Sequence, residues 1–318
     1  MVTATDRSTS STGSEHDKAP KLSVVVASFR DARLLESCLD SLRMQCERLG
    51  AEIIVCRDQA CGDLDEFARR YPAARVIPAP SGSTVPVLRG LGMQATRGAW
   101  VAMLEDHCVA ADDWLTKLSA AFDGSAAVVG GGMGNAQTGR LIDWGAYFSE
   151  YGFFDANRAL EGQGAPLLTG ANVAYARAVV PEVAEWMHNG DWENTVHHRL
   201  ALAGQALRFV AEARVYQNLR YRFGAFCVDR FEHGRDFART RLRLSQSGRL
   251  QRYAYAGLSP MLPPILLGRL WRSATGRDTT QRAAFLRAGP FTWAFLASWS
   301  IGESVGYWLG PDHDDQEQ

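Results

Sequence analysis

The chain has almost no net charge. Lys and Arg total 34 and Asp and Glu total 35 among 318 residues, so the formal net charge is −1. A near-neutral chain has no global field that attracts nucleic acid, and no nucleic-acid partner is expected. Hydrophobic residues make up 46% of the chain, which suffices for the core of a globular protein.

A Cys-x-x-Cys pair and a regular cysteine framework are also missing. Six cysteines are scattered along the chain: Cys38, Cys46, Cys56, Cys61, Cys108 and Cys227. Because no secretory signal precedes them, the pattern indicates reduced thiols in a cytoplasmic protein. Residues 1–20 are rich in Ser and Thr and poor in large apolar residues, so a disordered tail is expected there.

No Gly-x-Gly-x-x-Gly follows the first apolar strand, which argues against a dinucleotide-binding Rossmann protein. Short apolar runs instead alternate with helical periodicity, at residues 22–27, 53–56, 74–77 and 99–104. Such strands, separated by helices, predict a parallel sheet covered on both faces. After a glycine-rich stretch from Gly130, residues 173–186, 191–203 and 222–243 are predicted to be mostly helical.

Polar residues follow three of the first four predicted strands. The first strand ends in Ser28, the second in Arg57-Asp58 and the fourth in Glu-Asp-His at 105–107. The carboxyl ends of parallel strands form one edge, where ligands bind in α/β sheets. Carboxylates and an imidazole can hold Mg²⁺ or Mn²⁺ there, and the cation would neutralise a diphosphate leaving group. The alternative is that these residues only begin loops. The literal Asp63-Leu-Asp65, after the second strand, is interpreted as an exposed helix start and not as a metal motif.

Taken in order, these segments resemble glycosyltransferase family 2. The resemblance lies in Ser-Val-Val-Val-Ala-Ser-Phe-Arg at 23–30, Glu-Ile-Ile-Val-Cys-Arg-Asp at 52–58, the segment 98–107 with Asp-Trp-Leu at 113–115, Leu-Thr-Gly-Ala-Asn-Val-Ala-Tyr at 168–175, and the segment 192–200 with Gly204. It implies an α/β GT-A fold, with a Rossmann-like, mostly parallel sheet, over residues 21–220. A helical C-terminal region is expected over residues 221–318.

The resemblance also implies roles for single residues. It places Ser28, Asp58, Arg89, Glu105 and Asp106 at a nucleotide-sugar donor, with Asp106 and His107 as ligands of Mg²⁺ or Mn²⁺. Glu193 is the expected catalytic base, and Asp191 is a second candidate.

The implied activity is sugar transfer from a UDP- or GDP-sugar to a glycan or lipid-linked acceptor. It would be inverting and metal-dependent, in surface polysaccharide biosynthesis. Arg57, His107 and Trp192 stand where the family has acids. These departures support an alternative, a non-catalytic GT-A-fold scaffold of a glycan synthase complex.

The C-terminal third raises the question of a membrane. Between residues 220 and 252 there are nine arginines and three acids, typical of a basic helix on an anionic membrane or of a solvated helix. Residues 258–270 are apolar, but three prolines interrupt them and they are too short to span a bilayer. Small residues recur every fourth position at Ala294, Ser298, Gly302, Gly306 and Gly310. We expect a peripheral or re-entrant hairpin on the cytoplasmic face, or else a helical cap or dimer interface.

Three weaker signals remain. Gln-Asn-Leu-Arg-Tyr at 217–221 is similar to the Gln-x-x-Arg-Trp segment of processive synthases, although coincidence is the favoured interpretation. His197 and His198 are interpreted as packing or surface residues. His233 is a candidate further ligand of the cation.

Overall fold

The computed structural model describes residues 20–62, 64–157, 167–244, 248–273 and 279–310. The expected N-terminal tail, apart from Pro20, and Asp63 lie outside these residues. The strands are β1 Leu22–Ser28, β2 Glu52–Asp58, β3 Ala74–Ala79, β4 Trp100–Glu105, β5 Cys108–Ala110, β6 Val128–Asn135, β7 Val173–Ala176 and β8 Leu207–Gln217. The α-helices are α1 Ala32–Leu49, α2 Leu64–Arg70, α3 Val85–Gln94, α4 Trp114–Ala120, α5 Leu141–Tyr151, α6 Val180–His188, α7 Glu193–Leu202, α8 Phe223–Leu244, α9 Arg249–Leu258, α10 Leu262–Ser273 and α11 Thr279–Leu309.

The strands form one sheet in the order β3-β2-β1-β4-β7-β6-β8-β5. The first four strands pair in parallel, as predicted, and bring the ends of β1, β2 and β4 to one edge. The second half is mixed, because β7 is antiparallel to β4 and β6, while β8 is parallel to β6 and antiparallel to β5. The predicted α/β fold with a mostly parallel sheet is confirmed.

The prediction of a helix from residue 173 is wrong in its first turn. Val173–Ala176 is the strand β7, and only residues 180–188 form the helix α6. The segment lies buried between β4 and β6, where its backbone groups need partners from both neighbours. A short apolar run is equally compatible with a strand and a buried helix, so the spacing of its apolar residues could not distinguish the two.

Helices cover both faces of the sheet. On one face α1, α4 and α5 bury Leu35, Trp114 and Tyr147 in one core cluster. On the other face α3, α6 and α7 bury Met93, Val183 and Val196 in a second cluster. All six cysteines are among the described residues and none is in a disulfide, in keeping with reduced thiols.

The glycine-rich segment forms β6. Its glycines are required because close neighbours leave no room for side chains. A Cβ at Gly131 would lie 2.0 Å from the Ala213 carbonyl oxygen and 2.5 Å from Nδ2 of Asn172. The Asn172 amide donates to the carbonyls of Gly132 and Ala213, and its Oδ1 accepts from Trp114. Asn172 therefore joins β6, β8 and α4 from inside the protein.

The C-terminal helices pack on the rest of the chain. Helix α11 lies along α8 and also contacts α5. Its small residues face α8: a Cβ at Gly302 would lie 1.9 Å from the Phe231 carbonyl oxygen, and Ser298 donates to the Cys227 carbonyl at 2.6 Å. The stripe is thus used within the chain, as the helical-cap alternative predicts, and α11 continues through Pro290 without a hairpin. No helix in the described part of the chain is long and apolar enough to cross a membrane.

Candidate functional site

The carboxyl end of β4 places Asp106 beneath the turn that follows β1. Its side chain is fully buried. Oδ2 accepts hydrogen bonds from the backbone N–H groups of Phe29 and Arg30, both at 2.7 Å, and from the Ser28 hydroxyl at 3.1 Å. The other oxygen, Oδ1, has no hydrogen-bond partner among the described residues. One oxygen of Asp106 therefore fixes the turn and the other stays available.

Arg57 is turned into the protein at the end of β2. Its side chain is buried, and Nη1 donates to Ser28 Oγ at 2.6 Å and to the Arg30 carbonyl at 3.3 Å. Ser28 is itself buried between Arg57 and Asp106. The hydroxyl of Ser28 is thus occupied within the protein, and its contact with a nucleoside stays a prediction.

Asp58 organises the loop that leads into α3. Its Oδ1 accepts from the backbone N–H of Ala60 at 2.8 Å, and Oδ2 accepts from the backbone N–H of Gly82 at 3.0 Å. Gly82 has a φ of 80°, a conformation that favours glycine. Asp58 therefore holds the end of β2 against the loop between β3 and α3.

Arg89 connects the two expected halves of the site. Its guanidinium is 1% exposed, and Nη2 donates to Glu105 Oε1 at 2.5 Å while Nη1 donates to Glu193 Oε2 at 2.8 Å. Glu105 ends β4 and Glu193 begins α7, so three elements meet at one side chain. Gly170 makes room for it, because a Cβ there would lie 2.3 Å from Nη1 of Arg89.

The Arg89 charge decides the ionisation of Glu193. Burial alone would raise the pKa of the carboxyl, but the positive charge and hydrogen bond of Arg89 lower it below its ordinary value. The pKa of Arg89 is raised in turn, because Glu193 and Glu105 outweigh the cost of burying it. The Glu193 side chain remains 15% exposed, so an ionised carboxylate reaches the surface of the site.

His107 lies beside these acids and offers one free nitrogen. Its ring is 3% exposed, and Nε2 is 3.3 Å from the hydroxyl of Tyr151. Nδ1 has no hydrogen-bond partner among the described residues, and it is 3.7 Å from Asp106 Oδ1 and 3.5 Å from Glu105 Oε2. A buried carboxylate oxygen and a buried imidazole nitrogen, both unpartnered, fit a divalent cation. The described residues contain no arrangement of three or more such side chains around one point.

Asp191 lies apart from this network. Its carboxylate pairs with Arg199 at 2.7 Å, on the surface of α7. The structure therefore brings Glu193, and not Asp191, to Arg89 and Glu105.

The paired histidines of α7 differ in environment. His197 is buried, and its Nε2 is 2.7 Å from the Tyr175 hydroxyl, whereas His198 is exposed. Burial lowers the pKa of His197 to about 4, so its ring is neutral near pH 7. His197 is a packing residue behind Glu193.

Helix α8 approaches the site from the C-terminal region. The ring of His233 lies 5.9 Å from that of Trp192, the residue before Glu193. No contact joins His233 to His107 or Asp106 in the described residues, so its role as a cation ligand stays a prediction.

Sequence reasoning missed Tyr151, the inward turn of Arg57 and the contact of Gly170 with Arg89. The segment around Gly170 was singled out only by resemblance. Tyr151 carries no sequence signal, because an aromatic residue at the end of an apolar helix is usually core.

The model of a protein family described as "Glycosyl transferase family 2" matches residues 23–183. This match includes β1 to β4 and stops short of Glu193. The comparison with curated proteins found no match.

Two solved structures are similar to this chain. The mannosyltransferase PcManGT from Pyrobaculum calidifontis, in complex with GDP-Man and Mn²⁺, is 16% identical with a TM-score of 0.57, and the match covers 94% of this chain and 89% of that one. A crystal structure of S. aureus TarS 1-349 is 13% identical with a TM-score of 0.48, covering 89% and 90%. At 16% identity, the similarity to the mannosyltransferase is a similarity of fold.

Proposed function

The chain belongs to glycosyl transferase family 2, and we propose that it moves one sugar from a nucleoside-diphosphate-sugar to a hydroxyl group of a glycan or lipid-linked acceptor. Its fold is that of GT-A glycosyltransferases, with added C-terminal helices. Membership of this family favours an enzyme over a scaffold that only binds.

One observation carries the proposal. The buried guanidinium of Arg89 binds both Glu105, the acid expected beside the donor, and Glu193, the expected base. Glu105 and Glu193 are far apart in sequence, yet both bind Arg89. A base must lie within reach of the acceptor hydroxyl while the donor lies beside the cation site. The Arg89 bridge supports both positions within one site.

The proposed step is an inverting displacement. The acceptor oxygen attacks the anomeric carbon, its proton passes to Glu193, and the bond from that carbon to the diphosphate oxygen breaks with its electron pair. Because Arg89 lowers the pKa of Glu193, the base is ionised at neutral pH but only weakly basic. Much of the barrier must therefore be lowered at the leaving group.

Asp106 Oδ1 and His107 Nδ1 are the atoms that would hold a Mg²⁺ or Mn²⁺ ion. Asp106 is oriented for this by three hydrogen bonds to its other oxygen, and His107 by Tyr151. When bound, the cation supplies positive charge to the diphosphate. The Mn²⁺ in the mannosyltransferase structure supports this choice of metal. The GDP-Man in the same structure makes GDP the first nucleotide to test, with UDP second.

We also propose a peripheral contact with the cytoplasmic face of a membrane, which would suit surface polysaccharide assembly. Leu258, Met261 and Ile265, spaced by three and four positions, are each more than half exposed. Exposed arginines lie nearby in sequence, at Arg249, Arg269 and Arg272. Apolar side chains beside basic ones suit the surface of an anionic bilayer.

The test is sugar release and transfer from GDP- and UDP-sugars with Mn²⁺, by wild type and Glu193→Gln. Removing a general base should lower kcat by roughly 10²–10⁴-fold. Glu193→Gln should still bind nucleotide, which is measured as a rise in melting temperature when nucleotide is added.

Asp191→Asn is the matched control, since it removes a carboxylate two residues away and should keep most of the activity. Equal losses in both variants, or a Glu193→Gln variant within about threefold of wild type, would reject Glu193 as the base. Metal-dependent nucleotide binding by a wild type that never turns over a donor would favour the scaffold alternative.

A further inference from the structure

Arg57 stands at the end of β2, beside Ser28 at the end of β1. The two residues are paired in the register of these parallel strands, so their side chains share one face of the sheet. The Arg57 side chain is buried, and its guanidinium carbon lies 5.2 Å from the centre of the Phe67 ring on α2. The strand register and the aromatic ring therefore hold the guanidinium in place against Ser28.

The Ser28 hydroxyl links Arg57 to Asp106. Nη1 of Arg57 donates to Ser28 Oγ at 2.6 Å, and Ser28 Oγ is 3.1 Å from Asp106 Oδ2. A guanidinium can only donate hydrogen bonds, and a serine hydroxyl has a single hydrogen. Because Ser28 accepts from Arg57, its own hydrogen is left for the Asp106 carboxylate. An acid at position 57 would accept that hydrogen and withdraw it from Asp106, so the identity of residue 57 sets the direction of both bonds.

Arg57 also binds the backbone of the turn that holds Asp106. Its Nη1 donates to the Arg30 carbonyl at 3.3 Å as well as to Ser28, so it tethers the residues on both sides of Phe29. The backbone N–H groups of Phe29 and Arg30 donate to Asp106 Oδ2, both at 2.7 Å. All three hydrogen bonds to this oxygen therefore come from a segment that Arg57 binds as well.

We propose that Arg57 is a positioning residue, which acts through Ser28 and the turn at residues 28–30 to hold Asp106 with Oδ1 directed to a bound Mg²⁺ or Mn²⁺. Oδ1 has no hydrogen-bond partner among the described residues and lies 3.7 Å from His107 Nδ1. The groups that bind a ligating carboxylate orient it and tune its affinity for the metal. The proposal rests on the proposed function for the cation, and not for the positioning of Asp106.

The direction of change in cation affinity distinguishes positioning from a plain effect of charge. Like charges repel, so loss of the Arg57 charge by itself would strengthen the binding of Mn²⁺. Loss of its hydrogen bonds to Ser28 and the Arg30 carbonyl would instead free the Asp106 carboxylate to turn, and the binding of Mn²⁺ would weaken. A residue that only fills space would change the stability of the fold and leave the affinity for Mn²⁺ as it is.

The first measurement is Mn²⁺ binding by the full-length protein, with and without GDP, from the paramagnetic resonance of the free ion. Arg57→Met, which removes the donors and keeps much of the apolar stem, should bind Mn²⁺ roughly 10–100-fold more weakly than wild type. Arg57→Lys keeps a donor but lacks the planar fork, so its affinity should lie between the two. Arg75, an exposed arginine on the neighbouring strand β3, is the control, and Arg75→Met should bind Mn²⁺ like wild type.

Amide hydrogen exchange tests the turn without any metal. In the methionine variant the amides of Phe29 and Arg30 should exchange about tenfold faster or more, because each loses a fixed carboxylate acceptor. The amides of Ala60 and Gly82 donate to Asp58, the next residue of the chain, and should exchange as in wild type. Equally faster exchange at all four amides would mean that the end of β2 opens as a whole, which would overturn the proposal.

Unchanged or tighter Mn²⁺ binding by Arg57→Met would overturn the proposal, and so would a lowered melting temperature with unchanged affinity and exchange. Should Arg57→Met fail to fold, an Arg57→Lys variant with wild-type affinity and wild-type exchange would overturn it. If wild type binds no Mn²⁺ while Arg57→Met exchanges faster only at Phe29 and Arg30, Arg57 remains the residue that positions Asp106, and the proposed cation site fails.

Discussion

A buried histidine behind the base makes stability depend on pH. The pKa of His197 is about 4 in the folded chain and near its ordinary 6.5 when unfolded, chiefly because burial disfavours the charged ring. The charged groups that face it are Glu193 on its own helix and Arg89 from α3. Since the folded pKa is depressed, the stabilisation is complete above 6.5 and is lost as pH falls toward 4.

Wild type should therefore lose about 2 kcal/mol of unfolding free energy from this residue between about pH 7.5 and pH 5. His197→Gln, which can keep a hydrogen bond to Tyr175, should lose correspondingly less. Urea unfolding at the two pH values measures this, with the exposed neighbour His198→Gln as control. If His197→Gln and wild type had the same pH dependence of unfolding free energy, the pKa of His197 would not be lowered by folding.

Several site residues were predictable at this scale, and others were not. Glu105, Asp106 and His107 stand at the end of a strand in a recognisable motif, so sequence could place them at the sheet edge. The partner of each carboxylate could not be read from spacing. One oxygen of Asp106 binds the backbone of a turn, and Arg89 binds two acids from different elements. Only the tertiary fold determines these partners.

Among the elements, the contact of α8 with α11 depends most on small residues. At Gly302 a Cβ would meet the Phe231 carbonyl oxygen at 1.9 Å, and backbone cannot move aside cheaply. At Gly268, within α10, a Cβ would meet nothing within 4 Å.

Gly302→Ala should therefore destabilise the protein by about 1–3 kcal/mol through overpacking. Gly268→Ala should instead stabilise it by about 0.5–1 kcal/mol through helix propensity. Thermal or urea unfolding of the two variants compares the same substitution at a packed and an open helix position. Similar effects at both positions would mean that α11 does not pack closely on α8.

The elements show where periodicity succeeds. Strands β1 to β4 and helices α7 and α8 follow clear apolar patterns, and their positions were predicted. The strand β6 was not assigned, because its glycines lack the side chains that signal a strand. They are required by Asn172, Ala156 and Leu168 packed against that backbone, which are distant in sequence.

At the scale of the whole molecule, the proposed membrane contact can be tested by sedimentation with lipid vesicles. Wild type should sediment with vesicles of phosphatidylcholine that contain roughly one third phosphatidylglycerol, and less at high salt. Leu258→Glu combined with Ile265→Glu should abolish sedimentation, because two charges would enter the apolar surface.

Leu286→Glu is the control, since Leu286 is equally exposed but lies on α11. Loss of sedimentation in both variants would point to a general effect of charge. Recovery of wild type in the supernatant at every lipid composition would reject the contact.

The bridge from Arg89 to Glu105 and Glu193 has a consequence for how the chain can change over generations. Replacement of either acid leaves the same arginine with one remaining carboxylate, so the effect of a second replacement depends on the first. The two positions are therefore epistatic, although they lie 88 positions apart in sequence. A lineage that has exchanged Arg89 for a neutral residue can vary both acids in ways that are closed to its ancestor.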